Sequence, residues 1–161
     1  MNKVIEADFL LRGTNADFSW PRSIGGSGRK ERRRILIVDN DPNTTHLVKV
    51  LLEKTGRYLV VEENDAAKAH QSARNFRPDL ILLDVVMPET GGGEVAARIE
   101  ADPELHNAPI VFLTGLVTRA EVKSGLRVQG HPFLAKPVSI PELINTIEQH
   151  LLACVASHVS L

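Results

Sequence analysis

An intramolecular disulfide is out of reach for this chain, because its 161 residues include a single cysteine, Cys154. A reducing, cytoplasmic compartment is the expectation that follows. Long apolar runs are missing as well. Nothing approaches the roughly 18 residues needed to cross a bilayer, so no membrane span is expected. Near the start, Glu6 and Asp8 interrupt the region where a signal peptide needs an unbroken apolar core. An excess of one charge is also absent: 19 Lys and Arg against 20 Asp and Glu leave a net charge of -1, which argues against a generic polyanion binder. No direct nucleic-acid binding is expected. No glycine-rich turn follows the first apolar run, where Asp39-Asn40-Asp41-Pro42 stands instead, and this excludes a dinucleotide-binding fingerprint. Nor does any internal repeat suggest a solenoid.

What is present centres on Leu80-Ile81-Leu82-Leu83-Asp84-Val85-Val86-Met87-Pro88. Four consecutive apolar residues read as a strand buried on both faces, and they deliver Asp84 to the point where the strand leaves the sheet. A carboxylate there serves either as a cap for the next turn or as a nucleophile. Three further short apolar runs share this character: Ile35–Val38, Ile110–Leu113 and the shorter Phe133–Ala135. Tyr58–Val61 supplies a fifth strand.

Helices are expected between them. Asp41 caps one and Pro42 suits its first turn, with Leu47, Val48, Leu51 and Leu52 at helical spacing. A second starts from Asp65 and carries Ala66, Ala69, Ala73 and Phe76 on one face. Gly91-Gly92-Gly93 reads as a mobile loop before a short helix marked by Val95 and Ile99. A weak helix spans about Thr118 to Leu126, and a last one presents Ile140, Leu143, Ile144, Ile147 and Leu151. Five strands alternating with five helices imply right-handed crossovers and an α/β fold. The expected form is a flavodoxin-like, five-stranded parallel sheet of order 2-1-3-4-5 with helices on both faces. Residues 1–34, ending in Gly25-Gly26-Ser27-Gly28 and a basic cluster, read as a flexible arm; 35–153 form the domain and 154–161 a C-terminal tail.

In a parallel sheet all carboxyl ends share one edge, so Asp39, Asp84, Thr114 and Lys136 should converge there although they are remote in sequence. Two carboxylates can hold Mg²⁺, one can attack phosphorus, and a hydroxyl and an ammonium can receive phosphoryl oxygens. The motifs ILIVDNDP, LILLDVVMP, IVFLTG and FLAKP, at these spacings, resemble the receiver domains of two-component response regulators, the CheY-like superfamily. That resemblance implies that Asp84 is the phosphoacceptor, charged by a sensor histidine kinase or a phosphotransfer protein. It implies a Mg²⁺ site made by Asp39, Asn40, Asp84 and the backbone carbonyl of Val86. Thr114 and Lys136 would hold phosphoryl oxygens, and Thr114 with Phe133 would form the switch. With residues 35–153 assigned to this domain, too little of the sequence remains for a DNA-binding or enzymatic output domain, so the expectation is a stand-alone signalling module rather than an enzyme, with phosphorylation-dependent binding to another protein as its output.

The main departure is Asn40, where the family usually carries a second acidic residue; an amide oxygen still coordinates Mg²⁺ but brings no charge. Two other readings stand beside the first. One is a receiver fold that acts by binding alone, without phosphorylation. The other is a phosphatase of the haloacid dehalogenase type, since Asp39-Asn40-Asp41 resembles its DxD motif; that reading leaves Asp84 without a role.

Overall fold

The computed structural model describes residues 31–115 and 129–159. Nine elements follow in order: β1 (Arg33–Val38), α1 (Pro42–Glu53), β2 (Tyr58–Glu63), α2 (Ala69–Phe76), β3 (Leu80–Asp84), α3 (Gly92–Glu100), β4 (Ile110–Thr114), β5 (Phe133–Ala135) and α4 (Ile140–Val159). The strands pair in the order β2-β1-β3-β4-β5, every pair parallel, as the flavodoxin-like expectation requires. Four helices rather than five are found among the described residues. The helix expected from about Thr118 to Leu126 lies outside them, and so do residues 1–30 of the expected arm.

β3 and β4 are buried along their whole length, which explains why their sequences run apolar without alternation. Each face of the sheet carries its own core. Ile35, Ile37, Leu80, Leu82, Val111 and Leu113 pack with Val48 and Leu52 of α1 and with Leu143, Ile147 and Leu151 of α4. Leu36, Val38, Ile81, Leu83 and Phe112 pack on the opposite face with Ala69 and Ala73 of α2 and Val95 and Ile99 of α3. Truncating one of these fully buried leucines to alanine costs about 2–5 kcal/mol, the range for a cavity that the surroundings fill only partly.

Of the boundaries that depart from expectation, four bear most on the fold. β1 starts at Arg33, two residues early, because Arg33 and Arg34 pair with Tyr58 and Leu59. There the Arg34 backbone N–H donates to Asp79 Oδ2 at 2.7 Å, and its guanidinium lies 4.6 Å from the centre of the Phe76 ring. α2 starts at Ala69 rather than Asp65, since Asp65 Oδ1 accepts the Ala67 N–H and residues 66–68 form a turn first. The three glycines are not a free loop: Gly91 caps α3, and Gly92 and Gly93 are its first residues. Finally, α4 continues to Val159, into the segment expected as a tail.

Candidate functional site

The parallel register delivers four of the expected residues to one edge of the sheet. Asp39 follows β1 directly, Asp84 ends β3, Thr114 ends β4 and Lys136 follows β5. Asp39 is 1% exposed, Asp84 6% and Thr114 2%, so three polar groups are held away from water. Buried carboxylates need partners. Lys136 supplies one, its ammonium 2.5 Å from Asp39 Oδ2 and 3.4 Å from Asp84 Oδ1. The other Asp39 oxygen accepts the Asp41 backbone N–H at 2.9 Å. Asp84 Oδ1 also faces the Val86 N–H at 3.5 Å. Burial pushes the Asp84 carboxyl above its usual range and neighbouring Asp39 pushes it further, while Lys136 pulls it back.

Lys136 is positioned by the sheet itself: its backbone N–H donates to the Thr114 carbonyl at 2.8 Å, extending the pairing of Thr114 with Ala135, and the peptide it forms with Pro137 is cis. Phe133, the expected switch aromatic, pairs with Phe112 and is 5% exposed, so it occupies the inward position. Val86 and Asn40 are both exposed on their loops. Asp41 caps α1 as expected, Oδ1 accepting the Asn43 N–H at 3.0 Å and Oδ2 the Thr44 hydroxyl at 2.7 Å. Both of its oxygens are therefore engaged.

The donor set suits a hard divalent cation. Asp39 and Asp84 each bring a carboxylate oxygen to the Lys136 ammonium, and the exposed residues Asn40 and Val86 stand on the two adjoining loops. Mg²⁺ is characteristically held by one or two carboxylates with water and phosphate completing its shell. Among the described residues no cluster of three or more acidic, histidine or cysteine side chains offers a metal site, which leaves this two-carboxylate centre short of one charge at Asn40.

Two residues that the sequence did not single out shape the site. Gly92 packs behind Asp84: its N–H donates to the Val85 carbonyl at 2.9 Å, and a Cβ there would stand 2.1 Å from the Asp84 carbonyl oxygen. Only a residue without a side chain fits so close to that backbone. Asn64, at the end of β2, donates from its side chain to the Asp39 carbonyl. The role of Gly92 needs the close approach to the Asp84 backbone to be known, and that of Asn64 the sheet register.

Residues 35–148 match the family model of the response regulator receiver domain. The chain is 29% identical over 119 residues to the polar-differentiation response regulator DivK of Brucella anthropi, covering 74% of this chain and 96% of that protein. It is 34% identical over 119 residues to an uncharacterised 14.6 kDa protein of Leptolyngbya boryana, covering 74% and 90%. Among solved structures, the receiver domain of a sensor histidine kinase from Pseudomonas aeruginosa PAO1, with a magnesium ion coordinated in its active-site cleft, superposes with a TM-score of 0.64. It is 26% identical, with 75% of this chain and 98% of that chain covered. The chemotaxis protein CheY4 of Vibrio cholerae superposes with the same TM-score and identity, covering 74% and 98%. Domains of this kind accept phosphoryl groups from kinases and act as signalling modules rather than enzymes. By its match over residues 35–148 and by its fold, the chain belongs to the response regulator receiver domains of two-component signal transduction.

Proposed function

We propose that Asp84 accepts a phosphoryl group from the phosphohistidine of a sensor histidine kinase or phosphotransfer protein, and that the charged form binds another protein in the cytoplasm. The observation that carries this reading is the pair of buried carboxylates, Asp39 and Asp84, sharing the Lys136 ammonium at the carboxyl edge of the sheet. An Asp84 oxygen forms the new O–P bond as the donor's N–P bond breaks, and the electron pair of that bond returns to the imidazole nitrogen. Asp39, Asn40, Asp84 and the Val86 carbonyl would hold Mg²⁺, which offsets the negative charge shared by carboxylates and phosphate. The Lys136 ammonium and Thr114 hydroxyl would take phosphoryl oxygens. That repositioning is the event by which Thr114 and Phe133 would relay the charged state.

Incubation with acetyl phosphate and Mg²⁺ tests the assignment: one phosphoryl group should be added to the wild type and none to Asp84→Asn. Equal labelling of both proteins overturns it. Asn40 favours a second reading, a receiver that binds its partner without phosphorylation, and failure of the wild type to label at any Mg²⁺ concentration would establish that reading instead. The phosphatase reading needs Asp41 as a free acid, and both Asp41 oxygens are taken by the α1 cap.

A further inference from the structure

β1 and β2 do not simply stop at the site; their ladder ends in a side-chain rung. The Asp39 N–H donates to the Glu63 carbonyl at 3.1 Å, continuing the parallel pairing of Val38 with Glu63. The next rung of a parallel ladder would bring the Asp65 N–H to the Asp39 carbonyl. Asp65 turns away, however, and its N–H donates to Glu63 Oε1 at 2.9 Å. The Asn64 side chain takes the vacated place, Nδ2 donating to the Asp39 carbonyl at 2.7 Å. The same nitrogen donates to Thr45 Oγ1 at 3.0 Å, and the fully buried Thr45 hydroxyl donates in turn to the Pro42 carbonyl at 3.1 Å. Both amide protons of Asn64 are thereby used, and the chain of donors runs one way from the end of β2 into the first turn of α1.

The consequence lies in the Asp39–Asn40 peptide. Its carbonyl oxygen is held by Asn64, so the plane that sets the direction of both the Asp39 carboxylate and the Asn40 amide is fixed from outside the loop. We infer that Asn64 is a positioning residue for cation binding: by anchoring the Asp39 carbonyl against Thr45 it pre-orients the oxygen donors that this loop offers to Mg²⁺. The inference rests on the metal role proposed above for Asp39 and Asn40. Orientation matters more here than with a carboxylate at position 40, because an amide lacks the charge that would draw a loosely held loop onto the ion. Groups that orient metal ligands without touching the metal are worth 10–100-fold in affinity.

Four variants separate this role from a merely structural one. Asn64→Ala removes the anchor, Asn64→Asp keeps its shape without the two protons, and Thr45→Val removes only the far end of the relay. Glu53→Ala is the control. It deletes a hydrogen bond to the same strand, from the Val60 N–H to Glu53 Oε1 at 3.0 Å, away from the site. Calorimetric Mg²⁺ titration of each folded protein, with the ¹⁵N-resolved Asp41 amide shift recorded without metal, is the measurement. Both Asn64 variants should bind Mg²⁺ about tenfold more weakly and move the Asp41 amide, which reports on Asp39 Oδ1. Thr45→Val should do so to a smaller degree, and Glu53→Ala should lower stability alone. Wild-type affinity in the Asn64 variants, or in Thr45→Val should those fail to fold, overturns the inference and leaves the proposed function standing. A wild type that binds no Mg²⁺ overturns both.

Discussion

At Asp84 burial and charge oppose each other. Its carboxyl is buried next to that of Asp39, with one ammonium serving both, so its charged form is disfavoured in the folded chain. A raised carboxyl pKa means that the folded state holds the proton to higher pH than the unfolded chain does. The stability tied to that proton is complete below the ordinary value of 3.8 and is lost as pH rises through the raised value. Asp84→Asn should therefore unfold at higher urea concentration than the wild type at neutral pH without metal. The gain should be about 1 kcal/mol, the scale of an ordinary single-residue effect, and it should vanish as pH falls toward 3.8. A variant no more stable at pH 7 would contradict the burial argument. Asp84 itself was legible from sequence, since four apolar residues ending in a carboxylate have few meanings in a parallel sheet. Gly92 was not, because three successive glycines suggest freedom while the structure uses one of them for lack of volume against the Asp84 backbone.

At the level of elements, α2 is tied to the connection between α3 and β4 by one carboxylate. Asp102 accepts the Glu104 N–H at 2.9 Å, meets His70 Nε2 at 2.8 Å and lies 3.4 Å from Arg74 Nη1. The Glu104 N–H, then His70 and Arg74, hold its carboxyl below the usual range. A depressed acid contributes stability above its ordinary value of 3.8, and that contribution is lost as pH falls through the lowered value. Asp102→Asn should thus lower the urea midpoint at pH 7, and the difference from wild type should shrink in acid below pH 3.8. A pH-independent difference would mean that shape, not charge, links these elements. This network was invisible in sequence, where Asp102-Pro103 reads only as a helix terminator, because the side chains that join it, His70 and Arg74, lie about thirty residues away. Strand positions were read closely since a short apolar run is a local signal, and helix starts less so. Asp65 shows why: a carboxylate that caps a turn and one that caps a helix look alike until the next residues commit.

Across the whole molecule the sheet divides two separate cores, and the site sits on the edge where both end. A phosphoryl group on Asp84 would bear first on Thr114 and Lys136, and through the β4–β5 register on Phe133, which belongs to the α2 and α3 face. Hydrogen exchange measured with and without acetyl phosphate should change in β4 and β5 and stay constant in β2, at the far edge of the sheet. Equal protection of β4 and β5 in the two states would place the output elsewhere. The strand order behind this prediction is not written in any residue; 2-1-3-4-5 was expected as the common order for five alternating strands, and the structure has it. The Lys136 contact carries one more implication. The ammonium that joins Asp39 arrives from a residue 97 positions later, after the fifth strand. Both acidic residues are therefore synthesised long before their counter-ion exists. With Asp84 as the acceptor proposed above, phosphorylation should be confined to chains in which the fifth strand has closed the sheet.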